Sequence, residues 1–179
     1  MWRVAERTRR FLGLVFSMLV ATAHGADADD APFSLTPPAS LHAAPVARAA
    51  SGNTYAWLPA DLKQPLRLML TVMPSTEIRH RLGALSDSQC VRLFLDEVRR
   101  EHEQFFAIDM ASPLALGAAQ LRRVRWTGTR NGHALTGVLA CGEVHGNYYV
   151  VHYTDAIDQA TASFPAIRAS LKSLRTREP

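Results

Sequence analysis

Hydrophobic and polar positions follow two different repeats along the chain, and the change of repeat marks the predicted elements. Within residues 66–72 leucine and valine alternate with other side chains, which predicts a strand with one face on a core. Residues 91–106 instead place apolar side chains three or four positions apart, after the capping-box motif Ser86–Gln89. We therefore predict an amphipathic helix from Asp87 to about Ala107.

The second half of the chain predicts an antiparallel meander. Strands are expected over residues 121–129, 134–144 and 148–153. Between them lie the turn signals Arg130–Gly132 and His145–Asn147. Three consecutive strands joined by two short turns form neighbouring hairpins.

The remaining segments complete a predicted α+β fold. A short edge strand begins at Phe33, residues 41–52 read as a loop, and residues 54–58 read as another strand. A closing helix is expected from Ser163, with Pro165 in its first turn. We predict a single domain over residues 33–175: an antiparallel sheet (meander) with a central amphipathic helix and a C-terminal helix packed on it. The predicted core contains Leu68, Leu70, Val72, Val91, Phe94, Val98, Val124, Trp126, Val151, Ile167 and Leu171.

The first 25 residues have the features of a secretory signal peptide. The first ten residues contain four arginines, the apolar run Phe11–Ala23 follows, and small residues precede Ala26. A membrane anchor is the alternative, but a span needs roughly 20 apolar residues and this run is shorter. We expect cleavage near Gly25, a flexible segment over residues 26–32, and a periplasmic or secreted product without a stable membrane span.

Removal of this leader changes the charge of the protein. The whole chain is formally +4, but the leader holds four arginines and one glutamate, so the remainder is near +1. Nucleic-acid binding, which needs dense phosphate neutralisation, is therefore not expected. Residues 121–179 still carry eight basic and four acidic groups, an excess that fits a solvated surface or a docking patch.

The segment Cys141-Gly-Glu143-Val-His145 places three potentially reactive side chains within five residues. Side chains two apart share one face of a strand, so a sulfur, a carboxylate and an imidazole could meet. An exported chain with two cysteines favours a Cys90–Cys141 disulfide instead. Two free thiols, a metal site and a nucleophile remain as alternatives.

Arginines gather on the first hairpin of the meander and define a possible partner surface. Arginine, tyrosine and tryptophan are enriched at binding hot spots. The alternative is an outer sheet face in water, with Trp126 turned into the core. The residues of the proposed partner surface are Arg122, Arg123, Arg125, Arg130 and Tyr148.

Other reactive groups do not form a recognisable constellation. The histidines lack metal-ligand spacing, and His102 is expected to border the apolar face of the central helix. His133, His145 and His152 could form a pH-sensitive surface if they cluster. We expect no catalytic residues, no metal and no cofactor, and thus a protein that is not an enzyme.

The element order resembles a known family. It begins with Phe33–Pro38 and Asn53–Val72, continues with one amphipathic helix and Arg123–Asp155, and closes with a helix that ends in Ser-Leu-Lys-Ser-Leu. This pattern is similar to the PsbP-like α/β sandwich of small exported bacterial proteins, including the periplasmic DcrB type. The resemblance implies a non-enzymatic module that binds other proteins or assists envelope processes. Its motifs are topological, so it assigns no catalytic residue.

Export, the missing catalytic constellation and the resemblance together predict the function. We expect a periplasmic binding or accessory module that contacts an envelope or secreted protein. A carrier of a small ligand or lipid is the first alternative, and it requires a deep apolar pocket with convergent polar groups. An immunity-type inhibitor of an exported toxin is the second.

Overall fold

The chain forms one large antiparallel sheet, one small one and three helices within the residues that the structure describes. The structure is a computed structural model that describes residues 31–116 and 119–177. Its strands are β1 (Phe33–Ser34), β2 (Leu41–Ala43), β3 (Ala47–Ala49), β4 (Gly52–Pro59), β5 (Arg67–Pro74), β6 (Glu103–Asp109), β7 (Leu114–Leu116), β8 (Ala119–Arg130), β9 (His133–Val144), β10 (Asn147–Ala156) and β11 (Arg175–Thr176). Its helices are α1 (Ser75–Leu82), α2 (Asp87–Arg100) and α3 (Ala160–Ser173).

The large sheet has the strand order β2-β4-β5-β10-β9-β8-β6. β3 also pairs with β4, β7 also pairs with β8, and β1 pairs with β11 in the small sheet. The predicted meander β8-β9-β10 is confirmed. Both of its turns use left-handed backbone, with φ of 51° at Asn131, 76° at Gly132, 48° at His145 and 74° at Gly146. Asparagine and glycine tolerate these angles, and this conformation suits the twist of a tight hairpin.

Apolar side chains are buried on both faces of the large sheet. On one side, which we call the helical face, α1 and α2 cover a cluster that includes Phe94, Val124 and Trp126. On the other, which we call the C-terminal face, α3 and the small sheet cover a cluster that includes Leu70 and Ile167. The molecule is therefore an α+β sandwich, as predicted. Every residue predicted for the core is buried.

α2 begins as predicted but ends earlier. The Ser86 side chain accepts a hydrogen bond from the Gln89 backbone, and the Gln89 side chain caps Ser86 in return. The helix ends at Arg100, so the predicted extension to Ala107 is wrong. Phe105 and Phe106 fitted the helical spacing, yet they belong to β6, where neighbours point to opposite faces.

Several local predictions are corrected by the structure. α3 starts at Ala160, three residues before Ser163, which places Pro165 in its second turn. The predicted loop 41–52 contains β2 and β3, which pair with β4 over only a few residues each. Helix α1 was not predicted.

The described residues begin at Ala31, after the predicted signal peptide. The predicted signal peptide and residues 26–30 lie outside the described residues. Ala31 is buried, and the Pro32 carbonyl accepts hydrogen bonds from the Arg177 backbone and the Tyr149 hydroxyl. The packed part of the chain therefore includes Ala31 and Pro32, which were predicted to belong to the flexible segment 26–32.

The predicted Cys90–Cys141 disulfide is confirmed. The two Cα atoms lie 5.9 Å apart, within the usual range for a disulfide, and both residues are fully buried. Cys90 lies in the first turn of α2 and Cys141 lies on β9. The bond therefore ties the central helix to the middle of the meander.

Candidate functional site

The residues of the Cys141–His145 segment do not form a reactive centre. The Cys141 sulfur is in the disulfide, so it is not available as a thiolate nucleophile. Glu143 receives a hydrogen bond from Arg79 in α1 at 2.7 Å. His145 lies in the β9–β10 turn. The spacing therefore serves a scaffold in which one bond and one ion pair hold α2 and α1 to β9.

The arginines of the predicted partner surface are divided between the two faces of the sheet. Alternation along β8 places Arg122 and Arg130 on the helical face, with Val124 and Trp126. Both are ion-paired, Arg122 with Asp109 at 2.6 Å and Arg130 with Glu101 at 3.1 Å. Arg123 and Arg125 lie on the C-terminal face.

The prediction is wrong for Tyr148. This residue is buried under α1 and α2 on the helical face, with 1% of its surface exposed. Its hydroxyl donates to the Leu85 carbonyl at 2.8 Å and accepts from the Leu85 backbone N–H at 3.2 Å. Tyr148 was placed on the surface because of its hairpin position, but it connects the sheet to the loop before α2.

Two histidines pack with Trp126 inside the helical face. The His102 and His152 rings lie 4.8 Å and 5.8 Å from the Trp126 ring, and His102 Nδ1 bonds the Val98 carbonyl. Burial, with a smaller contribution from His102, lowers the pKa of His152 to about 4. His102 borders the apolar face as predicted. The suggested cluster does not form, because His152 is buried and His133 and His145 lie at opposite ends of β9.

A groove of about 560 Å³ opens on the C-terminal face between α3 and the chain before β8. We call it the basic groove. Its rim carries four cations: Arg123 from β8, Arg168 and Lys172 from α3, and Arg175 from β11. The helical repeat explains the α3 contribution, since Phe164, Arg168 and Lys172 are each four residues apart and share one side.

The cations of the basic groove have no acidic partners among the described residues. Six arginines elsewhere in the described residues form ion pairs with aspartate or glutamate. No carboxylate of the described ranges lies within ion-pairing distance of Arg123, Arg168, Lys172 or Arg175, or of the neighbouring Arg125. These like charges therefore produce a positive potential that favours an anionic ligand.

Two of the groove arginines are held in place by neutral acceptors. Arg123 donates from Nε to the Ser112 carbonyl at 2.6 Å and from Nη2 to the Ser112 hydroxyl at 2.8 Å. Arg175 donates from Nη1 to the Lys172 and Leu174 carbonyls at the end of α3. These bonds orient both guanidinium groups, and no carboxylate in the described part of the chain neutralises their charge.

The floor of the basic groove is apolar. Val138, Tyr153 and Leu171 line it from below, and Phe164 is a partly exposed wall. The Tyr153 hydroxyl bonds Asp155 at 3.2 Å and Ser163 at 2.9 Å, a network that anchors the start of α3. Burial raises the pKa of Tyr153 to about 12, with Asp155 adding to the shift against the lowering effect of the Ser163 hydrogen bond. The phenol therefore stays neutral beneath the groove.

Next to the basic groove, the end of the sheet carries exposed apolar side chains. Phe106 and Ile108 on the edge strand β6 are 62% and 54% exposed. Register pairs Phe106 with Thr127 and Ile108 with Arg125, so both lie on the C-terminal face beside Arg125. We call Phe106, Ile108 and Arg125 the β6 strip.

Protein-family models and curated protein sequences give no match to this chain. Solved structures do match. LpqN, involved in cell envelope biogenesis of Mycobacterium tuberculosis, is 13% identical, with 81% of this chain and 83% of that chain covered and a TM-score of 0.52. Cyanobacterial PsbP (CyanoP) from Synechocystis sp. PCC 6803 is 10% identical, with 89% and 99% covered and a TM-score of 0.55. The fold is PsbP-like.

The PsbP-like assignment concerns architecture alone. At such identities a shared fold does not transfer a function, because function resides in sites. The narrower resemblance to the DcrB type stays a prediction. The basic groove and the β6 strip are therefore argued from this chain's own residues.

In this PsbP-like sandwich, no helix of the described residues is both long and apolar enough to cross a bilayer. No group of three or more histidine, cysteine, aspartate or glutamate side chains in the described ranges is arranged to hold a metal ion.

Sequence reasoning missed most of the basic groove. Arg168, Lys172 and Arg175 were counted only as part of the basic excess of residues 121–179. The sequence signal for Arg168 and Lys172 is their four-residue spacing with Phe164 on α3. That spacing places an aromatic and two cations on one helix side, but it does not say what lies opposite.

Proposed function

We propose that this protein is an exported, non-catalytic binding module of the cell envelope that takes a protein partner on its C-terminal face. The β6 strip carries the proposal. It exposes two large apolar side chains next to an arginine that has no carboxylate partner in the described residues.

Exposed apolar side chains cost free energy in water, and a partner that covers them recovers it. Covering the surface that Phe106 and Ile108 still expose would contribute about 1–2 kcal/mol each, since part of each residue is already buried. Arg125 adds specificity, since an acidic group on the partner would satisfy its guanidinium. The strip therefore fits a partner segment that is apolar with an acidic residue beside the apolar positions.

Export and the absence of catalysis rest on separate observations. The leader-like N-terminal sequence and the buried disulfide both support an oxidising compartment outside the cytoplasm. The disulfide and the ion pair with Arg79 engage Cys141 and Glu143, two of the residues considered above as a reactive centre. A protein-binding role needs neither group to be free.

Affinity capture from envelope extract tests the proposal. The strip variant Phe106→Ser/Ile108→Ser is compared with the wild type and with Leu62→Ser, which removes a side chain that is 66% exposed in the β4–β5 connection. We expect a partner that is captured by the wild type and by Leu62→Ser and lost with the strip variant. Arg125→Glu should weaken the same capture. Equal recovery by the wild type and the strip variant would contradict the proposal.

A further inference from the structure

We propose that the basic groove is a second binding site, which holds an anionic amphiphile: a molecule with one carboxylate or phosphate head and one alkyl chain. This inference goes beyond the protein partner of the β6 strip and rests on different residues. The head would lie between Arg168 and Lys172, and the chain would lie on the floor formed by Val138, Tyr153 and Leu171.

The size of the groove suits a small ligand. At about 560 Å³ it falls within the roughly 300–1,000 Å³ of known small-molecule sites. Such sites combine a mostly apolar lining with a few polar groups that orient the ligand. The basic groove has this composition, and the charged side chains that line it are all positive.

The rim argues for an anionic head. Four cations face one opening without a carboxylate among the described residues, while Arg122, on the same strand β8 as Arg123, has Asp109 as its partner. Hydrogen bonds hold Arg123 and Arg175 in position before any ligand arrives, so little side-chain conformational entropy is lost on binding. A carboxylate or phosphate can accept from several of these donors at once.

The floor argues for an alkyl chain. Val138 and Leu171 keep only 9% and 6% of their surface exposed, yet both line the groove, and Phe164 stands beside them with 36% exposed. An inorganic anion would contact the rim and leave this apolar surface in water. A neutral hydrocarbon would cover the floor and leave four like charges uncompensated.

Isothermal titration calorimetry of the protein without residues 1–25 tests the inference. Laurate and lauryl phosphate are the probes, used below their micellar concentrations. Dodecyl maltoside supplies the chain without charge, inorganic phosphate supplies the anion without the chain, and citrate supplies a multivalent anion. We expect binding of both anionic probes and at least about tenfold weaker binding of the other three.

Variants assign the binding to the groove. Arg168→Glu/Lys172→Glu should weaken laurate about tenfold or more, and Phe164→Ser should weaken laurate without creating binding of phosphate. Arg92→Glu, a charge reversal at an exposed position of α2, is the matched control and should bind as the wild type does. Thermal unfolding of each variant verifies that the fold is kept.

Each outcome decides for or against the inference. Equal binding of dodecyl maltoside and laurate, or of phosphate and lauryl phosphate, overturns it, as does laurate binding that the Arg168→Glu/Lys172→Glu variant leaves unchanged. The Phe106→Ser/Ile108→Ser variant should bind laurate as the wild type does. A failure of the groove inference is therefore distinct from a failure of the β6 strip as a protein-binding surface.

Discussion

Reduction of the Cys90–Cys141 disulfide is the perturbation with the most direct energetic consequence. The two cysteines are 51 residues apart in sequence, and the loop between them holds most of α2 and the whole of β6, β7 and β8. In the unfolded chain the bond prevents these residues from exploring extended conformations. The folded state is already compact there, so the bond restricts it much less.

The magnitude follows from the loop length. Chain-entropy arguments give about 4 kcal/mol for a closed loop of this size at 25 °C. A domain of this kind is stable by only about 5–15 kcal/mol, so the loss is a large part of the total. Reduction is preferable to substitution, because it leaves both sulfur atoms in the core and adds no cavity.

Urea unfolding of the oxidised and reduced forms measures the difference. Trp57 and Trp126 are both buried, so their fluorescence reports the transition. Because both sulfurs are fully buried, the protein is reduced while unfolded and refolded with reductant present. We expect a free energy of unfolding lower by about 4 kcal/mol and a larger dependence on urea, since the reduced unfolded chain exposes more surface.

One result would refute this reasoning. If the reduced form unfolds with the same urea dependence and loses less than about 1 kcal/mol, restriction of the unfolded chain is not how the bond stabilises the fold. Wild-type protein carried through the same unfolding and refolding without reductant is the control. It separates the effect of reduction from incomplete refolding.

Three further predictions concern single buried groups, each measured by urea unfolding. Tyr148→Phe removes both hydrogen bonds to Leu85 and should cost about 1.5 kcal/mol, and an unchanged stability would show that the loop finds other partners. The pKa of His152 is about 4 in the folded protein, against 6.5 for an unperturbed histidine of the unfolded chain. As pH falls from 7 to 4.5, the unfolded state binds the proton and the folded state largely does not, so the free energy of unfolding should fall by about 2 kcal/mol. His152→Gln should lack that part of the loss, and equal pH dependence in both proteins would contradict the burial argument. Gly137→Ala should cost about 2–3 kcal/mol, because a Cβ there would lie 2.2 Å from the Tyr153 carbonyl oxygen and 2.6 Å from the Trp126 ring. A loss under about 1 kcal/mol would mean that β9 moves to make room for the methyl group.

Local chemistry in the sequence determined much of the architecture. α2 begins at the capping box as predicted, because Ser86 and Gln89 form reciprocal side-chain to backbone hydrogen bonds. These bonds are local and do not depend on the rest of the fold. The turns at Asn131–Gly132 and His145–Gly146 were readable for the same reason. The predicted core was correct because alternation and helical spacing report which side chains avoid water.

The boundaries of the elements, and which side of each strand is buried, depended on contacts between residues that are distant in sequence. Phe105 and Phe106 fit a helical repeat, but they lie on β6, which pairs with β8. Phe105 packs partly buried against the core of the helical face, and Phe106 is exposed on the other face. Tyr148 and Tyr149 are neighbours on β10 and point to opposite faces of the sheet. Both are buried nevertheless, because different elements cover the two faces. A repeat shows that a strand has two sides, but it does not show what covers each side.

The candidate sites were decided almost entirely by tertiary structure. The sequence identified a basic hairpin, and the fold placed its arginines on two faces. Arg122 and Arg130 form ion pairs with carboxylates, whereas Arg123 and Arg125 have no such partner within residues 31–116 and 119–177. The fold also brought Arg168 and Lys172 from α3 to the opening that Arg123 lines. Whether a charge is paired depends on neighbours that are far away along the chain, and folding alone determines which neighbours those are.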